Sequence, residues 1–312
     1  MGKLALIFPG QGSQQVGMGR AVAEAHPEAR AVFESADTTL NFSLSKLCFD
    51  GPADQLKLTE NTQPAILATS TALYRVLAAH GIEPDFVAGH SLGEYSALVA
   101  AGCLRFEDAV ILVRNRGRYM QEAVPVGEGA MAAILGLPLR EVEALCEEVA
   151  EGEVVEPANL NGPGQIVIAG HNAAVNRAAE AAKGRGAKRA ILLPVSAPFH
   201  CQLMKPAQDR LERDFAEATF SEPRVPVISN VDAAPVRTAE QVQDALTRQV
   251  ASPVRWEESV RTLVEEGVNQ FVEVGPGKVL TGLVRKISKD VRVASVEDPS
   301  GVETLLAEVA SG

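Results

Sequence analysis

Apolar residues are arranged in two kinds of run along this chain. Leu4-Ala5-Leu6-Ile7-Phe8 and Phe86-Val87-Ala88-Gly89 are short, unbroken and closed by Pro or Gly, which predicts buried strands. Between and after them, apolar positions recur at the three-to-four spacing of helices. The spacing predicts helices over 64–80, with Thr62 as cap, Pro64 near the first turn and Gly81 just past the end, and over 92–101 and 106–122. Strands alternating with helices predict a mainly parallel sheet.

From about 124 to 196 the elements shorten. Strand 130–135, helix 139–149, strands 154–159 and 165–169, helix 172–183 and strand 190–195 follow in the order β-α-β-β-α-β. That order is the split βαβ, ferredoxin-like unit. Helix 202–218, strand 225–229, helices 239–250 and 256–266, strand 270–274, helix 279–287 and strand 291–296 resume the first texture. The expected class is therefore α/β. A large α/β-hydrolase-like domain with a mainly parallel sheet (1–123 and 197–312) carries a small inserted ferredoxin-like domain (124–196).

Composition narrows the partners. Of 312 residues, 46% are hydrophobic and 22% charged, and 29 basic against 40 acidic residues leave a net charge of -11. Such an acidic chain is not built for nucleic acid or an anionic membrane. Four scattered cysteines, Cys48, Cys103, Cys146 and Cys201, form neither a zinc pattern nor a disulfide framework. The first apolar run is too short for a secretory or membrane segment. A cytoplasmic protein without a metal or cofactor is expected, and as a monomer.

The candidate chemistry lies in Gly89-His90-Ser91-Leu92-Gly93, directly after a predicted strand and before a predicted helix. A strand that turns sharply into a helix lifts a serine hydroxyl out of the backbone, and glycines two residues either side relieve the crowding. The five residues alone fit an ordinary glycine-bounded turn as well; the flanking strand and helix favour the nucleophile. A serine alcohol needs a base within hydrogen-bond reach. His90 adjoins it and points elsewhere, His26 and His80 sit at helix ends, and His171 opens a helix into solvent. His200, between a strand end and a helix in Ser196-Ala197-Pro198-Phe199-His200-Cys201, is the favoured base.

An oxyanion needs donors, and Leu92 N–H at a helix start is one. Gly10-Gln11-Gly12 after the first strand brings Gln11 N–H as a second, the alternative being a plain tight turn. The loop lacks both the P-loop ending and the dinucleotide-binding glycine spacing. No acid suits the Ser…Asp/Glu…His order, since the only aspartate between 91 and 200, Asp108, starts a helix and has a dipole role there.

Six segments in order resemble the malonyl-CoA:acyl carrier protein transacylases of type II fatty acid synthesis. They are Phe8-Pro9-Gly10-Gln11-Gly12-Ser13-Gln14, Gly89-His90-Ser91-Leu92-Gly93-Glu94, Arg114-Asn115-Arg116-Gly117, the hairpin Ala158-Asn159-Leu160-Asn161 with Pro163-Gly164-Gln165, Pro198-Phe199-His200, and Gln249-Val250-Ala251-Ser252-Pro253-Val254-Arg255-Trp256. The resemblance implies a Ser91–His200 dyad with Gln11 and Leu92 as oxyanion hole. It also implies a histidine oriented by the Gln249 carbonyl and a carboxylate clamp at Arg116, which on periodicity alone reads as a solvated arginine. Met120, Asn161 and Phe199 are implied as pocket lining. The aliphatic Leu92 and the Phe199 before the histidine fit malonyl selectivity, although Phe199 also suits a core position.

The substrates so implied are malonyl-CoA and phosphopantetheinylated acyl carrier protein. Carrier proteins are acidic, so basic clusters should flank the site: Lys183, Arg185, Lys188 and Arg189, or Lys278, Arg285, Lys286 and Lys289. Each also reads as a solvated face. A discrete malonyl acyltransferase of a polyketide pathway and a serine thioesterase or esterase remain alternatives.

Overall fold

The computed structural model describes residues 2–195 and 197–311. Residues 1, 196 and 312, which the expected domain limits and the loop opening at Ser196 include, lie outside them.

After β1 (Lys3–Phe8) come the helices α1 (Arg20–Ala25), α2 (Pro27–Leu40), α3 (Leu44–Asp50), α4 (Ala53–Leu56) and α5 (Thr59–Ala79). Then follow β2 (Phe86–Gly89), α6 (Leu92–Ala100) and α7 (Phe106–Glu122). A second group comprises β3 (Gly129–Leu135), α8 (Leu139–Val149), β4 (Val155–Gly162), β5 (Gln165–His171), α9 (Asn172–Gly184) and β6 (Arg189–Leu192). A short 3-10 helix (Gln202–Met204) leads into α10 (Lys205–Glu217), β7 (Val227–Ile228), β8 (Pro235–Val236), α11 (Ala239–Gln249), α12 (Trp256–Glu265), β9 (Val268–Val274), α13 (Val279–Ile287), β10 (Arg292–Val296) and α14 (Pro299–Ser311).

The fold is mixed α/β with two sheets. The first has the order β10-β9-β1-β2-β7-β8 and is parallel except for β8, which pairs antiparallel with β7. Its unbroken apolar strands follow from burial on both faces. Leu6 and Phe8 point to the side of α5, α6 and α7, whereas Ala5 and Ile7 point to Trp256, Val260 and Leu263 of α12 and Leu280 and Leu283 of α13. The second sheet is antiparallel in the order β4-β5-β3-β6. Ala132, Ile134, Ile166 and Ile168 pack under α8 and α9, and Met131, Val167 and Ala169 on its other face join the larger core. The second sheet is tied to the segment between α11 and α12 where Leu160 N–H donates to Val254 O (2.8 Å) and Val254 N–H to Ala158 O (2.9 Å).

Several expectations need correction. The helix expected over 64–80 begins at Thr59, and Thr62 does not cap it: its Oγ1 donates to Leu56 O (2.6 Å). Pro64 sits in the second turn, where its missing N–H removes only the bond to Glu60 O. The strand expected over 225–229 is two residues long, β6 stops at Leu192 short of 195, and the first turn of the helix expected from 202 is 3-10. The short β8 and the closing α14 carry no expectation from the sequence. His171 is only half exposed, and its Nδ1 accepts from Val154 N–H (2.9 Å).

Candidate active site

Three loops leave the C-terminal ends of adjacent parallel strands and meet. Gln11 follows β1, Ser91 follows β2 and Asn230 follows β7. This edge of an open parallel sheet is where ligands bind. The turn at Ser91 is as sharp as its glycines imply, with φ 52° and ψ −107°, a strained region for a residue bearing a Cβ. A Cβ on Gly89 would lie 1.9 Å from Gly93 C, and one on Gly93 would lie 2.0 Å from Phe8 O. Both contacts are with backbone that cannot yield. Gly93→Ala is accordingly expected to cost about 3 kcal/mol or more of stability, measured by urea unfolding, because strand and helix must part to admit the methyl group.

Ser91 Oγ lies 2.6 Å from His200 Nε2, and His200 Nδ1–H donates to Gln249 O at 2.9 Å. The second bond fixes the tautomer, leaving Nε2 free to accept the serine proton. His200 is buried, and burial followed by the nearby Arg116 charge lowers its pKa to about 3, so the imidazole is neutral. His90 is turned away from the dyad: its Nε2–H donates to Asn161 Oδ1 (2.7 Å) and its ring packs against Trp256.

Arg116 is buried at 1% exposure, among Leu112, Val113, Gly117 and Met120 on the inner face of α7. Nη1 donates to Gln63 Oε1 (2.8 Å), and Nη2 to both Gln249 Oε1 (2.9 Å) and Ser91 Oγ (3.1 Å). The guanidinium stands over the Tyr95 ring, and its Nε has no hydrogen-bond partner among the described residues. A buried cation that no carboxylate among the described residues touches, beside the Ser91 hydroxyl, is placed for an anionic group that it can grip through two parallel bonds.

Gly10 brings Gln11 to the same edge: a Cβ there would lie 2.3 Å from His90 O, so the loop backbone presses on the turn. Leu92 is the first residue of α6, whose opening N–H groups have no acceptor within the helix. Met120 and Phe199 are buried, Met120 accepting from Gln63 Nε2 through sulfur. The expected basic clusters are less uniform. Lys183 pairs with Glu180 and Arg185 with Glu148, whereas Lys286 at the end of α13 donates to Gln165 Oε1 (3.1 Å) across the two sheets.

Three residues escaped sequence reasoning. Asn230 accepts Ser91 N–H on Oδ1 (2.7 Å) and donates from Nδ2 to Gly89 O (2.7 Å), bracing both sides of the turn. Gln63 aims Arg116. Glu94 lies inside a motif whose chemistry was assigned to Ser91 alone. The available signal was polarity at positions where helical spacing calls for apolar residues: Gln63 in α5, Glu94 in α6, and Arg116 itself in line with Leu112, Val113 and Met120.

The family described as acyl transferase domain matches residues 5–304. The chain belongs to this acyl transferase family. It is 52% identical over 304 residues to the malonyl CoA-acyl carrier protein transacylase of Bacillus subtilis strain 168, with 97% of this chain and 96% of that protein covered. It is 50% identical over 307 residues to the Escherichia coli K12 protein of the same name, covering 98% and 99%. Among solved structures, an acyl carrier protein S-malonyltransferase of Vibrio cholerae superposes with a TM-score of 0.95 at 49% identity over 97% of this chain and 99% of that one. A type II PKS acyl-carrier protein in complex with its malonyl-transacylase matches at a TM-score of 0.96 and 47% identity, covering 98% and 99%. In this acyltransferase, no helix among the described residues is long and apolar enough to cross a membrane.

Proposed function

We propose that this enzyme moves the malonyl group of malonyl-CoA to the phosphopantetheine thiol of acyl carrier protein, supplying extender units for fatty acid synthesis. The observation that carries the reading is the buried Arg116 guanidinium 3.1 Å from Ser91 Oγ. A simple esterase has no use for a fixed cation beside its nucleophile, whereas a malonyl thioester brings a carboxylate one methylene away from the carbonyl under attack.

In the first half-reaction Ser91 Oγ attacks the thioester carbonyl while His200 Nε2 takes its proton, and Gln11 and Leu92 N–H hold the oxyanion. The C–S bond breaks, CoA leaves with the proton from His200, and O-malonyl-Ser91 remains. In the second, His200 deprotonates the carrier thiol, sulfur attacks the ester, and the proton returns to Ser91 Oγ as the C–O bond breaks. The thioester is already activated, so no cofactor is required. Arg116 holds the acyl end, Met120 and Phe199 line its pocket, and Asn161 keeps His90 clear of the dyad.

The first sheet with its helices reads as an α/β-hydrolase-like domain (1–123 and 197–312), supported by the strand-turn-helix around Ser91. The second reads as a ferredoxin-like domain (124–196), supported by the β-α-β-β-α-β order and the sheet order β4-β5-β3-β6. Dyad, clamp and donors all come from one chain, so a monomer suffices for the reaction, and a monomeric enzyme is the state proposed. Four free, buried cysteines support a cytoplasmic one.

The test is to mix the protein with radiolabelled malonyl-CoA. Label should appear on Ser91 and pass to acyl carrier protein; rapid release of free malonate would instead make the protein a hydrolase. The match to a transacylase complexed with a type II PKS carrier favours polyketide extender supply as the second reading. Rates with fatty acid and polyketide carrier proteins separate the two.

A further inference from the structure

Behind the dyad lies a polar layer that the transfer chemistry leaves unused. Glu94, in the first turn of α6, is buried at 2% exposure. Its Oε2 accepts from Gln249 Nε2 (2.7 Å) and from Asn230 N–H (3.3 Å), partners 155 and 136 positions away in sequence. Each partner holds one half of the dyad. Gln249 O receives His200 Nδ1–H, and Asn230 Oδ1 receives Ser91 N–H. Gln249 Nε2 also donates to Ser91 O (3.0 Å).

The Gln249 amide is therefore suspended between opposite charges, its nitrogen on the Glu94 carboxylate and its oxygen on Arg116 Nη2. A flipped amide would set donor against donor at the guanidinium and acceptor against acceptor at the carboxylate. We infer that Glu94 is a positioning residue of the transfer reaction, whose carboxylate pins Gln249 and Asn230 and through them fixes His200 and Ser91. This rests on the malonyl-transfer reading. Glu94 thus supplies, at one remove, the acid that the Ser…Asp/Glu…His order lacks. Burying a carboxyl is costly, and a glutamine of the same size would fill the space without that cost, so packing alone does not account for it.

Burial raises the Glu94 carboxyl to about 7. The bonds from Gln249 and Asn230 and the charge of Arg116 on α7 work against that rise, and Asp232 after β7, itself paired with Arg248, adds slightly to it. Tyr95, the next residue of α6, is buried and held well above its ordinary range. Glu94 thus changes charge at neutral pH while His200 stays neutral, and a proton on the carboxyl weakens the acceptor that holds Gln249. Reactivity of Ser91 should fall as pH drops through about 7.

Single-turnover acylation of Ser91 is measured between pH 5.5 and 8.5 for the parent and for Glu94→Gln. The reagents are malonyl-CoA and a fluorophosphonate ester that carries no carboxylate, and thermal melting is recorded alongside. Expected are a Glu94→Gln rate about 10- to 100-fold lower at pH 8 with both reagents, KM for malonyl-CoA within about threefold, and loss of the limb near pH 7. A Glu94→Gln protein that keeps the parent's rate and limb overturns the inference. Should the variant fail to fold, Glu94→Asp, which keeps the carboxylate and withdraws it by one methylene from Gln249 and Asn230, is measured in its place, and a parent-like rate with both reagents overturns the inference equally. Failure of the transfer reading looks different: the parent reacts with fluorophosphonate and not with malonyl-CoA.

Discussion

Replacing His200 with alanine is expected to slow acylation of Ser91 by malonyl-CoA about 10⁴-fold, a barrier increase of about 5.5 kcal/mol. The serine proton has no other acceptor in reach among the described contacts. Arg116 Nη2, the other group at Oγ, only donates. Rapid-quench measurement of label on Ser91 reads the step directly. The pH dependence adds a second check. Burial and the Arg116 charge hold the imidazole at about 3, so the parent's base is fully neutral at any pH above about 5. Protonation of His200 then produces no limb near 6.5, and any loss of rate around pH 7 belongs to a different group. The stability consequence has a definite sign. Below 6.5 the unfolded chain takes up a proton at this histidine that the folded chain refuses until about pH 3, so its contribution makes the fold less stable as pH falls through that window. Glu94 acts oppositely: between 4.5 and 7 the folded state holds a proton that the unfolded state has released, so its contribution favours the fold as pH falls toward 4.5. Normal acylation by the alanine variant would remove the dyad from the mechanism.

How much of this site was legible depends on whether a residue's role is local. Ser91 is, because the strand, turn and helix that shape it are continuous in the chain, and the pattern predicts α7 at the limits observed. The β-α-β-β-α-β order was legible for the same reason: each element carries its own period, and order survives errors of a few residues at the ends. Asn230 and Glu94 were not, because what defines them is a partner 136 to 155 positions away, and no spacing encodes that. Gln249 was legible only through resemblance, since its carbonyl is a backbone atom that any residue could supply. Its side chain between Glu94 and Arg116 gives the residue type a physical reason. The start of α5 precedes the expected one because Pro64 marks a first turn in most helices, whereas here the ladder already runs from Leu58 O to Thr62 N–H (2.8 Å). Burial of Leu56 and Thr59 draws the chain inward ahead of it.

Arg116→Ala is expected to lower kcat/KM for malonyl-CoA about 10³-fold, while transfer from acetyl-CoA stays within about threefold of the parent. The asymmetry follows from what the guanidinium does in each case. A malonyl carboxylate loses a bidentate, desolvated partner, and the acyl chain loses the anchor that aligns its carbonyl with Ser91 Oγ. An acetyl group has no carboxylate to lose, and removing the charge relieves the Coulombic depression of His200, leaving a stronger base. On the proposed reading, a malonyl carboxylate would neutralise Arg116 as it binds, so the correct substrate would also raise the basicity of the histidine that must act on it. Arg116→Lys separates charge from shape. Lysine keeps the cation and loses the fork, as well as the simultaneous contacts to Gln63 and Gln249. It is therefore expected to remain close to the alanine variant for malonyl-CoA and to fall below it for acetyl-CoA. Steady-state rates with both thioesters on the three proteins test this. Equal losses for malonyl and acetyl transfer in Arg116→Ala would mean that the arginine supports the dyad and does not read the carboxylate.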